Sequence, residues 1–409
     1  MSNKPTKDRI MKALVFNAIG SIALKDMPQP AIIQPTDVIV KLTMTSICGT
    51  DLHLVRGTIG DMKPGTILGH EGVGIISDVG SQVIRFKQGD RVIIPSTICC
   101  GNCAYCMQQE YSQCDKANPN GPLAGTAFYG SPITCGAFNG MQAEYVRVPL
   151  ADSSLVACDK RITDTQALLL SDILPTAAMA VEYAQIKPGV TTAVFGLGPV
   201  GQLIIMLLKQ MGNQTIIGLD SVPERLALAQ RQGATPIDIS THDPLEALFG
   251  LTQGVGATSV IDAVGIDAMM GPIARVTTYG SANQETFNQE IERIVPEQSR
   301  AWQPGSGPSQ VLRWAAQTVA KAGTISIAGV YSPLLESFPI GLAMEKNVTI
   351  RMGNCNHKKY IPELVRQLLE HSIDPDLIIT HHLPFEQIEG TYQEFNDRQH
   401  GMIKVALRL

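Results

Sequence analysis

Four cysteines form the most concentrated group of potential metal ligands in the sequence. Cys100, Cys103, Cys106 and Cys114 follow the spacing C-x2-C-x2-C-x7-C. Four thiolates separated by short turns can enclose a tetrahedral ion, as a structural zinc site requires. An iron–sulfur cluster uses the same type of ligand and is the alternative. We expect residues 99–114 to form a zinc lobe with a structural role, because four protein ligands leave no open position for a substrate.

A second set of candidate ligands comes from three separate segments. Cys48 lies in SICGTDLH, and His70 follows 22 residues later in GHEGVG. A thiolate and an imidazole are ligands that a catalytic zinc prefers. As the third ligand we select Asp172, in LSDILPT. Two anionic ligands and a neutral imidazole would balance the charge of Zn²⁺ and leave a fourth position for water or substrate.

A glycine-rich turn predicts a dinucleotide site. The segment GLGPVG directly follows the strand-like TTAVF and precedes a helical pattern. The first glycine permits a tight turn, the second brings the backbone close to a pyrophosphate, and the third allows close helix packing. Asp220 ends the next predicted strand and favours NAD over NADP, although Arg225 could accept a 2′-phosphate if Asp220 turned away. The residues predicted to bind the pyrophosphate are Gly196, Gly198, Pro199, Val200 and Gly201.

The elements that must position these groups change character near residue 190. Before it, short strand-like runs broken by Gly, Pro and Asp predict a β-rich, barrel-like domain. After it, strands alternate with helices, which predicts βαβ units and a parallel sheet. We predict helices over 200–211, 223–232 and 310–322, and strands over 192–195, 215–219, 259–261 and 324–327. The long polar segment 266–307 is predicted to be an insertion.

Composition and charge exclude several classes of function. The chain has 409 residues, enough for two or three domains, and its formal net charge of −5 is spread along the sequence. It has no basic block typical of nucleic-acid binding, and its longest apolar run, 203–208, is too short to span a membrane. The N-terminus lacks the apolar core of a secretory signal. We therefore expect a cytoplasmic protein without a nucleic-acid or membrane partner.

Residues 69–83 match the pattern G-H-E-x2-G-x5-G-x2-V, and through them the chain resembles the zinc-dependent medium-chain alcohol dehydrogenases. The Cys48 segment, the four-cysteine lobe and the glycine-rich turn follow in that family's order, so the resemblance covers nearly the whole chain. It implies an α/β protein in which a GroES-like, β-rich catalytic domain is interrupted by a Rossmann domain with a doubly wound parallel sheet. The predicted domains are 1–178 and 352–409, which form the catalytic unit, and 179–351, which binds NAD.

The resemblance also implies roles for individual residues. It makes Cys48, His70 and Asp172 the ligands of the catalytic zinc, with Glu71 as a transient fourth ligand. Thr50 and His53 match a proton relay. We expect the remaining histidines, His357 among them, to lie outside the site. The other cofactor contacts that the resemblance implies are Thr176 at the nicotinamide, Asp220 and Arg225 at the adenosine ribose, Ala328 and Val330 at the carboxamide, and Lys404 at the pyrophosphate.

Aspartate at position 172, where many members have cysteine, resembles the branch of glutathione-independent formaldehyde dehydrogenases and aldehyde dismutases. The segment 266–307 agrees, since that branch has an enlarged coenzyme domain. The resemblance implies two Zn²⁺ ions per subunit, hydride transfer between an alcohol or hydrated aldehyde and NAD, and a homo-oligomer, with a tetramer favoured over a dimer. The alternatives are an aldehyde dismutase that keeps its NAD bound and a non-catalytic nucleotide-binding protein.

Overall fold

The structure is a computed structural model that describes residues 9–212, 215–271, 282–296, 302 and 304–409. The chain divides into two compact units. The first contains the residues up to Pro175, Cys355–His371 and Pro375–Leu409. The second contains Thr176–Asn354 and Ser372–Asp374.

Strands and helices occupy much of both units. The strands are β1 (Ile10–Ala18), β2 (Ser21–Pro28), β3 (Val38–Ser46), β4 (Gly72–Val79), β5 (Arg91–Ile94), β6 (Tyr145–Val148), β7 (Val156–Ala157), β8 (Thr191–Phe195), β9 (Thr215–Asp220), β10 (Thr235–Asp238), β11 (Ala257–Asp262), β12 (Val319–Ile327), β13 (Thr349–Met352), β14 (Ile379–Pro384) and β15 (Lys404–Arg408). The helices are α1 (Gly49–Arg56), α2 (Ala104–Met107), α3 (Ala151–Ser154), α4 (Asp164–Ser171), α5 (Ile173–Tyr183), α6 (Pro199–Gln210), α7 (Pro223–Arg231), α8 (Pro244–Leu251), α9 (Gln284–Ile294), α10 (Gln310–Thr318), α11 (Ile340–Glu345), α12 (His357–Leu369) and α13 (Ile388–Asn396).

The first unit is β-rich, as predicted. Its main sheet has the order β14-β15-β3-β4-β5-β7, with β6 paired to β3, and β1 forms an antiparallel pair with β2. All neighbours in the main sheet are antiparallel except β14 and β15. The apolar side chains of β3, β4 and β5 lie in a buried cluster that includes Val40, Leu42, Ile76 and Val92. This cluster supports the strand ends from which the candidate metal ligands follow.

The second unit contains a six-stranded parallel sheet with the order β10-β9-β8-β11-β12-β13. The order reverses between β8 and β11, which are neighbours in the sheet but not in sequence. This is the doubly wound arrangement, and its ligands bind outside the carboxyl ends of the strands at the reversal. The predicted parallel sheet is therefore confirmed, and the glycine-rich turn directly follows β8 at that position.

Two details of the predicted secondary structure differ from the structure. The helix predicted over 310–322 ends at Thr318, and the next four residues already belong to β12. Alanine-rich residues favour helix locally, but Val319 pairs with Ala257 of β11, and this pairing decides the strand. Within the predicted insertion 266–307, residues 284–294 form α9, while 272–281, 297–301 and 303 lie outside the described residues.

Within the second unit, a buried carboxylate connects helix α9 to helix α10 and the residue before it. Glu290 accepts hydrogen bonds from the backbone N–H and the hydroxyl of Ser309, at 3.2 and 2.8 Å, and its Oε1 lies 3.5 Å from a guanidinium nitrogen of Arg313. Phe287 and Ile294 on the same helix are also buried. None of the helices in the described ranges combines the length and apolar character that crossing a membrane requires.

The core of the second unit includes a pair of stacked aromatic rings, and a mutation of this pair tests how tightly the core is packed. Trp314 of α10 is 7% exposed, and its ring centroid lies 6.0 Å from that of Phe195 at the end of β8. We expect Trp314→Ala to lower the free energy of unfolding by about 3–5 kcal/mol, because it removes this stacking and leaves a cavity. Leu251→Ala, at a residue that is 50% exposed, should change it by less than about 0.5 kcal/mol. Urea unfolding measures both, and equal effects would contradict the described core.

Candidate metal and cofactor sites

Strand pairing brings the first two candidate metal ligands to one edge of the main sheet. Thr45 near the end of β3 lies opposite Gly72 at the start of the antiparallel strand β4. Cys48 follows β3 by two residues, and His70 precedes β4 by two residues. The two side chains therefore meet beyond the same edge. The third ligand, Asp172, lies at the break between α4 and α5.

The four side chains at this edge have the spacing of a single metal site. Cys48, His70, Glu71 and Asp172 each offer one ligand atom, and these atoms all lie within 4.8 Å of one another. The Oδ2 atom of Asp172 is 3.7 Å from the sulfur of Cys48 and 3.4 Å from Nε2 of His70. A tetrahedral zinc with ordinary bond lengths separates such atoms by about 3.3–3.5 Å. The thiolate, imidazole and carboxylate present here therefore fit zinc.

A buried carboxylate supports two of these ligands from behind. Asp51 Oδ2 accepts a hydrogen bond from the backbone N–H of Cys48 at 2.9 Å, and Oδ1 lies 3.0 Å from Nδ1 of His70. The side-chain amide of Gln142 donates to Asp51 Oδ2 at 3.2 Å and to the carbonyl of Ser46 at 2.9 Å. A carboxylate beside the second ring nitrogen sets the orientation of a metal-binding histidine. Sequence reasoning missed Asp51 and Gln142, although Asp51 occupies a helix-capping position that could have identified it.

His357 also belongs to the site, which corrects the expectation that it lies outside. Its Nε2 atom lies 2.8 Å from Oδ1 of Asp172, and its side chain is buried. The sequence carries no local signal for this contact, because 185 residues separate the two partners. Only the fold of the first unit brings the start of α12 to the break between α4 and α5.

Burial and neighbouring charges shift the protonation of these ligands. Burial raises the pKa of the Cys48 thiol, so metal binding near neutral pH must displace its proton. Burial also favours the neutral form of Asp172, but hydrogen bonds from His357 and His70 outweigh it and hold the pKa of Asp172 well below its ordinary value. For His357, burial opposes the charged form, yet the charge of Cys355 and the hydrogen bond to Asp172 raise its pKa to about 10.

Glu71 is paired with a buried cation, Lys404. The ammonium of Lys404 lies 2.5 Å from Glu71 Oε1 and donates to the carbonyl of Ile47 at 3.1 Å. Lys404 is fully buried and its charge balances that of Glu71, and its contact with a pyrophosphate stays a prediction. The second carboxylate oxygen of Glu71, Oε2, has no hydrogen-bond partner among the described residues. This orphaned buried oxygen is the atom that could approach a metal as a transient ligand.

The two residues predicted to carry protons lie on α1. Thr50 and His53 are three residues apart, which places them on the same side of the helix. Thr50 is partly exposed, whereas His53 is buried. Nδ1 of His53 lies 3.3 Å from the hydroxyl of Thr58, which also donates to the carbonyl of His53 at 3.2 Å. Sequence reasoning did not select Thr58, whose hydroxyl lies beside the ring of His53.

The four-cysteine lobe also fits one metal ion. The sulfurs of Cys100 and Cys106 are 3.9 Å apart, and those of Cys103 and Cys114 are 4.0 Å apart. These distances are far too long for disulfides but close to the roughly 3.8 Å between thiolates on a tetrahedral zinc. All four sulfurs lie within 4.8 Å of one another, which leaves room for a single ion and argues against the larger iron–sulfur cluster.

Backbone amides around the lobe favour thiolates. The backbone N–H of Cys103 points to the sulfur of Cys100 at 3.3 Å, and that of Cys100 to the sulfur of Cys114 at 3.2 Å. Burial opposes ionisation of Cys103, but backbone N–H groups of Cys106 and Asp115 outweigh it and lower the pKa of Cys103 to about 6. One thiolate is thus available near neutral pH before a metal arrives.

In the second unit, two glycines of the turn cannot carry a side chain. Gly196 has a φ of +85°, and a Cβ there would lie 2.3 Å from the side chain of Val264. A Cβ on Gly201 would lie 1.9 Å from the carbonyl oxygen of Gly196, so the start of α6 packs directly on the turn. Beside Gly198, the nearest atom to an added Cβ belongs to Arg225 at 3.7 Å, which leaves this backbone open to a ligand. Pro199 and Val200 occupy the first turn of α6.

Asp220 is held in place by backbone donors at the end of β9. Its Oδ2 accepts from the N–H of Leu197 at 2.7 Å, and its Oδ1 accepts from Ser221 and Val222 at 2.7 and 3.0 Å. A guanidinium nitrogen of Arg225 lies 3.7 Å from Oδ2. Three backbone hydrogen bonds oppose the rotation that would be needed for Asp220 to turn away and leave room for a 2′-phosphate.

The segment predicted to meet the carboxamide lies next to a buried hydrogen-bonded pair. The N–H of Ala328 donates to the carbonyl of Asp262 at 2.9 Å, and the carbonyl of Val330 accepts from Ile266 at 3.0 Å. The hydroxyl of Tyr331 donates to Asp262 Oδ2 at 2.5 Å. Asp262 thereby fixes this segment at the carboxyl end of β11. Thr176, also predicted to contact the cofactor, lies partly exposed in α5.

Comparisons with known proteins agree with this description. The family profile described as "Alcohol dehydrogenase GroES-like domain" matches residues 34–158, and that described as "Zinc-binding dehydrogenase" matches residues 199–282. An uncharacterized zinc-type alcohol dehydrogenase-like protein, AdhB of Bacillus subtilis, is 35% identical over 97% of this chain and 100% of its own length. A glutathione-independent formaldehyde dehydrogenase of Pseudomonas aeruginosa is 34% identical, with 94% of each chain covered. The solved alcohol dehydrogenase TADH from Thermus sp. ATN1 superimposes with a TM-score of 0.79 at 29% identity, covering 97% of this chain and 99% of its own.

The two metal sites can be separated by mutation. We expect Cys103→Ser to remove one bound zinc per chain and to lower the melting temperature by about 5 °C or more, because a closed four-ligand site contributes directly to folding stability. Cys135→Ser, at a cysteine outside both clusters, should change neither quantity. Elemental analysis and differential scanning calorimetry provide the measurements. Unchanged zinc content in Cys103→Ser would exclude the lobe as a metal site.

Proposed function

This chain belongs to the zinc-type alcohol dehydrogenase family, and on that premise we propose that it oxidises a small alcohol or hydrated aldehyde with NAD as the hydride acceptor. It is a zinc-dependent oxidoreductase of alcohols that uses a nicotinamide cofactor. The observation that carries the proposal is the convergence of Cys48, His70 and Asp172 at one edge of the first unit's sheet. These three residues would hold the catalytic zinc, and Glu71 would approach it as a transient fourth ligand.

The chemistry divides between the bound groups and the chain's own residues. When bound, zinc supplies a Lewis acid that polarises the substrate oxygen, and the nicotinamide supplies the hydride acceptor. The chain's task is to orient the ligands and to keep the carboxylate ligand ionised. Asp51 orients His70 from behind, and His70 and His357 keep Asp172 ionised. Such fixed groups need no rearrangement when charge develops on the substrate.

Proton removal from the substrate requires a path through side chains that can donate and accept. We assign its first member to the partly exposed hydroxyl of Thr50 and its second to His53, one helical turn further along α1. The two ring nitrogens of an imidazole can accept and donate a proton, which suits this role. The hydroxyl of Thr58 lies 3.3 Å from Nδ1 of His53 and helps to orient the ring.

The choice of NAD over NADP rests on Asp220. Its carboxylate is 6% exposed and held by the backbone N–H groups of Leu197, Ser221 and Val222. A fixed anion at this position can accept hydrogen bonds from ribose hydroxyls and repels a 2′-phosphate. Arg225 interacts with Asp220, so part of the positive charge of Arg225 is already balanced by this carboxylate.

The remaining parts of the proposal concern assembly and location. We infer a second, structural zinc in the four-cysteine lobe, supported by the sulfur spacing. Exposed apolar side chains on the first unit, including Leu123 and Met107, and on the second, including Met344 and Ile340, support a homo-oligomer. The family resemblance favours a tetramer over a dimer. None of the nine cysteines forms a disulfide, which supports a reducing compartment such as the cytoplasm.

The decisive experiment follows the absorbance of NADH when NAD⁺ is added with formaldehyde or with a graded series of primary and secondary alcohols. We expect the absorbance to rise with at least one substrate, and the rise to disappear after zinc is chelated and to return when zinc is restored. Asp172→Ala should lose both one zinc and this activity. Full turnover by a metal-replete Asp172→Ala variant would exclude Asp172 as a ligand.

A flat trace with zinc-loaded protein would favour the dismutase alternative. That reaction converts two molecules of aldehyde and one of water into one acid and one alcohol with no net change in NAD, so it is measured by analysing the products. The similarity to a glutathione-independent formaldehyde dehydrogenase makes formaldehyde the first aldehyde to test. Equal amounts of acid and alcohol would replace the dehydrogenase proposal with a dismutase on the same site.

The role of Asp220 gives a separate prediction. We expect Asp220→Asn to raise the ratio of kcat/KM for NADP to that for NAD at least about tenfold, equivalent to about 1.4 kcal/mol, because the charge that repels the 2′-phosphate is removed. Asparagine retains an oxygen that can accept backbone hydrogen bonds. Glu345→Gln, which removes an exposed charge from the same unit, should leave the ratio unchanged. An unchanged ratio in Asp220→Asn would show that another residue selects the cofactor.

A further inference from the structure

The two oxygens of the Asp172 carboxylate face different groups. Oδ2 lies 3.7 Å from the sulfur of Cys48 and 3.4 Å from Nε2 of His70, which is the position of a metal ligand. Oδ1 lies 2.8 Å from Nε2 of His357. A carboxylate can bind a metal through one oxygen or through both. The contact with His357 occupies the second oxygen and so favours binding through Oδ2 alone.

The imidazole of His357 is itself held firmly. It is 3% exposed and begins α12, and its Nδ1 lies 3.2 Å from the hydroxyl of Thr97. The hydroxyl of Ser96 lies 3.4 Å from Nε2. The ring is therefore surrounded by polar partners from the segment that follows β5, and it cannot rotate without losing several of them.

The start of α12 is also anchored. Asn356 is buried directly before the helix, and its side-chain oxygen accepts the backbone N–H of Ser112 at 2.8 Å. Its amide donates to Glu110 at 2.6 Å. These contacts fix the helix start, and with it the Cα of His357, to the segment that precedes Cys114 of the four-cysteine lobe.

We propose that His357 is a positioning residue for the catalytic metal site, which holds Oδ1 of Asp172 so that only Oδ2 coordinates. The inference rests on the assignment of Asp172 as a metal ligand made above. Hydrogen bonds to the outer atoms of metal ligands orient them, and their loss weakens metal binding by about 10–100-fold. Without His357, the carboxylate can rotate or bind through both oxygens and use the position that a substrate needs.

The test measures metal release from the fully zinc-loaded protein. A coloured zinc chelator in excess reports the release of zinc, and Cys103→Ser identifies which phase comes from the lobe. We expect His357→Ala to release the catalytic zinc about 10–100-fold faster, with the release phase of the lobe unchanged. His357→Gln should stay within about threefold of the wild type, because its terminal amide nitrogen can occupy the place of Nε2. His382→Ala, at an exposed histidine of the same unit, is the matched control.

A spectroscopic measurement tests the geometry directly. When Co²⁺ replaces the catalytic zinc, its visible absorption reports the coordination geometry, and a fifth ligand weakens the bands of a four-coordinate ion. We expect weaker bands in His357→Ala and wild-type bands in His357→Gln and His382→Ala. Wild-type release rates and spectra in His357→Ala would overturn the inference. Restored binding in His357→Gln separates a hydrogen-bonding role from simple packing, which the amide would not rescue.

Two further variants keep the outcome decisive. If His357→Ala does not fold, His357→Asn replaces it, because the shorter amide matches Nδ1 and does not reach Oδ1 of Asp172. Faster zinc release in His357→Asn than in His357→Gln supports the inference, and equal rates overturn it. The variant Asp172→Ala distinguishes failure of the proposed metal site from failure of the role of His357. If that variant keeps both zinc ions, the proposed metal site fails, whereas loss of one zinc together with wild-type behaviour of His357→Asn removes only the role of His357.

Discussion

The first unit is organised around a carboxylate, Asp172, that is almost completely removed from water. A buried charge without a partner costs about 3–5 kcal/mol, so its surroundings must compensate for it. Here His70 and His357 flank the two carboxylate oxygens, and a bound metal cation would add further compensation. The two histidines come from the residues before β4 and from the start of α12. No single segment could supply them, so the charge depends on the tertiary fold.

The same constraint explains the other buried charges near the site. Glu71 is paired with Lys404, and Asp51 accepts hydrogen bonds from the backbone of Cys48 and from Gln142. The contacts of Glu71 with Lys404 and of Asp51 with Gln142 join segments that are distant in the sequence. Their fixed directions leave the ligand atoms of the metal site close together before any metal binds. A preorganised site of this kind spends little energy on rearrangement during the reaction.

In the second unit, backbone groups more than side chains surround the charged groups. Its turn offers backbone N–H groups instead of side chains. The glycines at 196 and 201 permit the tight turn and the close helix packing, and the space beside Gly198 leaves the backbone open to a ligand. Asp220 accepts three backbone hydrogen bonds and lies beside Arg225, so its carboxylate is fixed where a ribose is expected. The proposed preference for NAD over NADP therefore rests on one side chain whose position is set by the strand and turn around it.

Local patterns in the sequence determined the two classes of domain, the glycine-rich turn and both sets of candidate ligands, because spacing within one segment reflects local geometry. The tertiary structure alone decided what depends on distant partners. Strand β12 begins at Val319 because it pairs with β11, although its residues favour helix locally. His357 reaches Asp172 across 185 residues, and Lys404 reaches Glu71 across 333. In each case the deciding interaction joins segments that only folding brings together, and its energy outweighs the local preference.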